Sequence, residues 1–191
     1  YPFIRDHYPS VQNQARYQRI RSLTHVLLLL DGADRETRKK WLEQYRKIHR
    51  QLIPHTGFFL RSNYFGKKEK LVEEIKDYRA FYVLGGNVFA LRIAMKLSGF
   101  DEYLKKISRL PNYLYSGYSA GICVLAKDLH GLELVDDYTK NPYGYDGTIW
   151  EGIGLVDYLP IPHYDSINHP EYHLIMDTVK RLDEQGSVYK T

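Results

Sequence analysis

Gly117-Tyr118-Ser119-Ala120-Gly121 is the stretch of this sequence whose residue types and spacing most directly offer a reaction. Tyr113–Ser116 before it reads as a strand and Ile122–Leu125 after it as the start of a helix, so the serine falls on a G-x-S-x-G elbow between them. A turn that sharp projects the hydroxyl outward, and neighbouring chain comes so close that only a missing Cβ avoids a clash. The amide of Ala120 would open the helix, aimed where an oxyanion forms, with the helix dipole behind it. The chemistry on offer is attack by a serine oxygen on an acyl carbon. A second glycine turn, Gly85-Gly86-Asn87, closes the apolar run Ala80–Leu84 and opens a helical pattern from Val88. It lacks the third glycine of a dinucleotide fingerprint and the Lys and Ser/Thr of a phosphate loop. A second oxyanion donor, the amide of Gly86, fits it better.

A serine hydroxyl is a weak nucleophile until a histidine takes its proton and a carboxylate holds that ring. Among eight histidines, His163 is best placed: in Pro162-His163-Tyr164-Asp165 it follows a predicted strand, Leu155–Ile161, and so emerges at an edge of the sheet. His25 begins a strand at the wrong end, His49 and His55 flank a helix terminus, and His130 lies beyond the helix after Ser119. These four read as surface or packing residues. His169 and His173 bracket Glu171, but the acid stands two residues after the first histidine rather than one, and Pro170 intervenes. A zinc-binding helix is therefore not expected. For the carboxylate, Asp136 and Asp137 lie between serine and histidine, and Asp165 just after the histidine. Spacing alone leaves the three open.

The elements that must position these groups alternate between apolar runs and helical patterns, as in parallel strands joined by crossover helices. Strands are predicted at His25–Leu30, Gly57–Arg61, Ala80–Leu84, Tyr113–Ser116 and Leu155–Ile161. Helices are predicted at Arg35–Arg50, at Val88–Ser98 with Asn87 as cap and Gly99 as stop, and at Asp101–Ser108, Ala120–Leu129 and Pro170–Gln185. The last carries the stripe Leu174, Ile175, Thr178, Val179 and Leu182.

With 191 residues, 43% hydrophobic and 26% charged, the chain reads as a single folded α/β domain with little room for a second. No apolar run is long enough to span a bilayer, and no signal core stands at the start. One cysteine, Cys123, excludes an internal disulfide and points to a reducing, cytoplasmic setting. Net charge is +4, and the excess is N-terminal: residues 1–50 hold 11 Lys/Arg against 5 Asp/Glu. Most of these cations lie opposite the apolar positions Trp41, Leu42, Tyr45, Ile48 and Leu52, which makes them a solvated helix face. No zinc-finger spacing, RNA-recognition motif or heptad accompanies them, so no nucleic-acid partner is expected.

Taken in order, Tyr82–Ala94, Gly117–Gly121 and Gly152–Ser166 resemble the dipeptidase E family of serine peptidases. That family includes cyanophycinase and shares its fold with class I glutamine amidotransferases. The resemblance runs from about Gly57 to Asp177 and extends to Leu-Arg-Ser-Asn-Tyr-Phe-Gly from Leu60. It implies a three-layer α/β/α sandwich around a mainly parallel, flavodoxin-like sheet, with Ser119 as nucleophile, His163 as base and the amides of Gly86 and Ala120 as oxyanion hole. For the acid it implies Asp137, then Asp136, with Asp165 as the amidotransferase-like alternative. The implied activity is hydrolysis of small peptides through an acyl-enzyme, with no metal and no organic cofactor, since triad and oxyanion hole suffice. In dipeptidase E the substrate begins with Asp, whose side chain needs a cation: Arg61 is one candidate, and Arg92, expected on a helix surface, another. The resemblance also leads one to expect strands beyond Thr191 and residues before Tyr1, which is not Met. A homodimer stays open. Two other readings use the same residues: an α/β-hydrolase esterase, and a binding or regulatory homologue without turnover.

Overall fold

The computed structural model of the chain describes residues 26–29, 36, 40, 43, 55–58, 60, 63–111 and 113–191. Four strands, β1 (Val26–Leu29), β2 (His55–Phe58), β3 (Ala80–Val83) and β4 (Leu114–Gly117), form one parallel sheet in the order β2-β1-β3-β4. Strand order reverses at β1. In a right-handed, doubly wound sheet such a reversal sends successive crossovers to opposite faces, and ligands bind beyond the carboxyl ends of the strands beside it. This is the expected α/β, flavodoxin-like arrangement. β2 starts two residues before its predicted position, and the predicted helix over 35–50 is described at Glu36, Lys40 and Glu43, all helical and exposed.

Between β2 and β3 runs α1 (Lys68–Ile75), which the sequence pattern did not announce: only Leu71 and Ile75 of it are buried. After β3 comes α2 (Val88–Ser98), with bounds and caps as predicted. Asn87 Oδ1 accepts the Ala90 amide at 2.9 Å, and Gly99 ends the helix in the left-handed conformation at φ 75°. Nearly all of α2 is buried, so it is the central helix of the described core. α3 (Phe100–Ile107) turns back from Gly99, and its Phe100 and Tyr103 rings meet Phe81 of β3 edge-on at 5.6 and 6.0 Å. Burial of such large side chains supplies about 1.5–3 kcal/mol each.

Arg92 corrects the expectation of a surface position. It is 5% exposed, its Nη1 pairs with Asp101 Oδ2 at 2.9 Å, and its Nε donates to the Glu151 carbonyl at 2.8 Å. A cation so engaged ties α2 to α3 and is not available to a substrate carboxylate.

α4 (Ala120–Cys123) is much shorter than the predicted Ala120–Leu129. Beyond it the chain accepts amides from a distant segment instead of its own next turn: Ile153 donates to Val124, Leu155 to Leu125 and Gly154 to Ala126, at 2.8–2.9 Å. The same pairing consumes the start of the strand predicted over 155–161, leaving β5 at Leu159–Pro160. β5 pairs in parallel with a short last strand, β6 (Tyr189–Lys190), reached through α5 (Tyr172–Glu184), whose Ile175, Thr178, Val179 and Leu182 are buried as the stripe predicts. Among the described residues, no helix is long and apolar enough to cross a membrane.

Candidate active site

In the β3–β4 register Val83 lies opposite Gly117, so Gly85 and Ser119, each two residues further on, leave the sheet together at its carboxyl edge. They touch. A Cβ on Gly85 would stand 2.8 Å from Ser119 Cβ and 3.2 Å from the Tyr118 carbonyl. Ser119 itself sits at φ 51°, ψ −122°, a region L-residues rarely occupy. Both flanking glycines are sterically required. A Cβ on Gly117 would meet the Gly121 carbonyl oxygen at 2.5 Å, and one on Gly121 would overlap the Val83 carbonyl. The Tyr115 hydroxyl donates to that same Gly121 carbonyl and ties strand to helix start. Hence the half-buried serine is held on a strained strand–turn–helix corner, packed against the glycine turn that follows β3.

Gly86, at φ 117°, lies in that turn, and Ala120 is the first residue of α4. Neither amide donates to an acceptor among the described residues. Two unclaimed N–H groups on either side of one serine are the arrangement that binds a developing oxyanion.

His163 follows β5 by three residues, and the Ile161 amide donates to the Lys190 carbonyl at 2.7 Å, so the two-stranded sheet fixes the start of its loop. The histidine adopts φ 66°, and with Ser119 it makes the pair of non-glycine residues at positive φ among those described. Its ring lies edge-on to Tyr118, the neighbour of Ser119, with centroids 5.2 Å apart, and stacks on His169 at 4.5 Å. Burial, followed by the charge of His169, pushes its pKa below the usual histidine value, which favours the neutral form a base requires. Ser119 Oγ and the His163 ring are not joined by a direct hydrogen bond.

The three candidate carboxylates are placed differently. Asp137 is exposed, and its Oδ1 accepts the amide and hydroxyl of Thr139 at 2.9 and 2.6 Å, contacts that hold its pKa down. Asp165 is exposed on the His163 loop. Asp136 is half-buried. Its Oδ2 accepts the Val88 amide at 2.7 Å at the head of α2, and Asn87 Nδ2 donates to the neighbouring Asp137 carbonyl at 2.8 Å. Desolvation raises the Asp136 pKa to about 6 despite that hydrogen bond, and Glu171 adds to the rise. Arg61 lies outside the described residues. His130, read from sequence as a surface or packing residue, is exposed, bonds Asp128 at 2.6 Å and stacks on Trp150 at 4.4 Å. Among the described residues no group of His, Cys, Asp and Glu could hold a metal ion.

The sequence profile of peptidase family S51 matches residues 32–190. The chain belongs to peptidase family S51. Two solved structures share the fold of this S51 peptidase. A peptidase E candidate from Listeria monocytogenes EGD-e is 22% identical, with a TM-score of 0.64 over 83% of this chain and 74% of that one. A peptidase from an acI-B1 actinobacterium is 17% identical, with a TM-score of 0.60 over 91% and 71%. No curated protein matches the chain. Membership makes it a serine-type peptidase of the dipeptidase E kind, as the resemblance implied. The sequence reading of this S51 member overlooked His169 as anything beyond a discarded metal ligand. A second histidine six residues after the first, beyond Ser166 and Asn168 and just before Pro170, was the available signal.

Proposed function

We propose that Ser119 is the nucleophile of this S51 peptidase, His163 its general base, and the amides of Gly86 and Ala120 its oxyanion hole, on a nucleophile elbow. The observation that carries the reading is the strained φ of Ser119 where it meets Gly85, because strain of that kind persists only where surrounding structure enforces it. Ser119 Oγ attacks the peptide carbonyl as His163 takes its proton. The tetrahedral oxyanion is received by the two free amides, and the protonated ring returns its proton to the leaving amine. Water activated by the same ring then releases the acyl group.

For the acid, burial favours Asp136 over Asp137, whose carboxylate is exposed and taken up by Thr139, and over the exposed Asp165. A carboxylate that orients imidazolium works best where water does not screen it. The substrate class is a small peptide, processed in the cytoplasm. With Arg92 consumed by Asp101, recognition of an N-terminal aspartyl side chain falls to Arg61.

Ser119→Ala tests the reading. Hydrolysis across a dipeptide library should fall by at least about a thousandfold, with an unchanged circular-dichroism spectrum. Residual turnover close to wild type would overturn it.

A further inference from the structure

We propose that His169 is a positioning residue for the base: its imidazole stacks on His163 and fixes the plane of that ring. The inference rests on the reading of His163 as general base. Two successive turns bring the second ring over the first, since the Ser166 amide donates to the His163 carbonyl at 2.9 Å and the His169 amide to the Ser166 carbonyl at 2.7 Å. The rings end 4.5 Å apart and 19° from parallel. Tyr118 meets His163 from the side at 76°, so a face contact and an edge contact together restrict rotation of the imidazole. Rotation matters because a base whose Nε2 swings away from the serine no longer accepts its proton.

His169 is itself anchored. The Glu171 amide donates to its Nδ1 at 3.3 Å, which holds the ring by that nitrogen. Two imidazolium rings in stacking contact would repel each other. Consistently, burial and then the His169 charge lower the pKa of His163. The other ionisable groups on the elements that carry or touch the pair are Tyr118 from the β4–α4 corner, Tyr164 and Asp165 on the His163 loop, and Glu171 beside His169. Sign follows directly: removing the second imidazole raises the His163 pKa, so the acidic limb of kcat/KM moves to higher pH.

Two variants separate plane from charge. His169→Phe keeps a flat ring, so its plateau kcat should stay within about threefold of wild type while its acidic limb shifts upward. His169→Ala loses the stack, and its plateau kcat should drop about tenfold or more with KM little changed. The upward shift of the acidic limb in His169→Phe is a readout that a merely structural histidine would not give. In the Ser119→Ala protein, titration of the His163 ring followed by NMR should show the same upward move on introducing His169→Phe, independently of turnover. An unmoved NMR midpoint and limb, or an alanine variant with the wild-type plateau, would overturn the proposal. Full activity of His163→Ala would instead refute His163 as the base, while the NMR titration would still decide whether the two rings are coupled.

Discussion

Gly85→Ala is the sharpest probe of the corner that holds Ser119. A methyl group there would lie 2.8 Å from Ser119 Cβ, whereas ordinary contact begins at 3.4 Å, so one of the two must give way by roughly 0.6 Å. Ser119 has little room to retreat, because Gly117 and Gly121 are already packed against each other and against the end of β3. An error of 1 Å in a reacting atom costs about a hundredfold, so 0.6 Å should lower kcat/KM about tenfold or more. Overpacking should lower stability by about 1–3 kcal/mol. Gly147→Ala is the control: with φ 79° and open space around it, it costs about 1–2 kcal/mol of backbone strain without touching the serine. Dipeptide hydrolysis, the rate of fluorophosphonate labelling and thermal melting would be measured on both. Slow labelling in Gly85→Ala but not in Gly147→Ala, at similar Tm, is the expected outcome. A folded Gly85→Ala protein with wild-type kcat/KM and labelling would refute the claim that the glycine turn positions the nucleophile.

Asp136→Asn should make the protein more stable and less active together. The folded-state pKa of about 6 lies above the ordinary 3.8, so the native state holds the extra proton; the stability linked to this group is greatest below about pH 4 and is lost as pH rises through 6. Asparagine stays neutral and can still accept the Val88 amide, so its advantage by denaturant melting should be absent near pH 4 and reach up to about 3 kcal/mol at pH 7. If Asp136 is the acid, kcat should fall by about 10³–10⁴-fold in the same variant. A stability gain without that loss would return the role to Asp137 or Asp165. Arg92→Ala leaves Asp101 buried and unpaired, which should cost about 3–5 kcal/mol, whereas Arg92→Met with Asp101→Leu should recover most of it. Equal melting of the single and double variants would contradict the pairing.

What could be read in advance was what local sequence controls. Asn87 and Gly99 bracket α2 because a side-chain cap and a left-handed stop need no partner elsewhere in the chain. The serine corner was legible for the same reason, since both its glycines act on atoms only a few residues away or on the adjoining strand. The early end of α4 was not legible: the carbonyls of Val124, Leu125 and Ala126 are claimed by amides some thirty residues on, a competition invisible to any short window. Arg92 misled for a related reason. Nothing local shows that the turn at Gly99 swings Asp101 beside it. α1 escaped notice because two buried residues, Leu71 and Ile75, one turn apart, are its whole apolar signal. Likewise the stack of His169 on His163 depends on two turns whose closure leaves no hydrophobic pattern.

The pairing of β5 with β6 has a practical side. The segment carrying His163 is moored, through Ile161 and Lys190, to residues almost at the carboxyl terminus of the sequence. Cutting the chain at Ser187 would therefore remove β6 and work loose the seat of the imidazole rather than shed a dispensable segment.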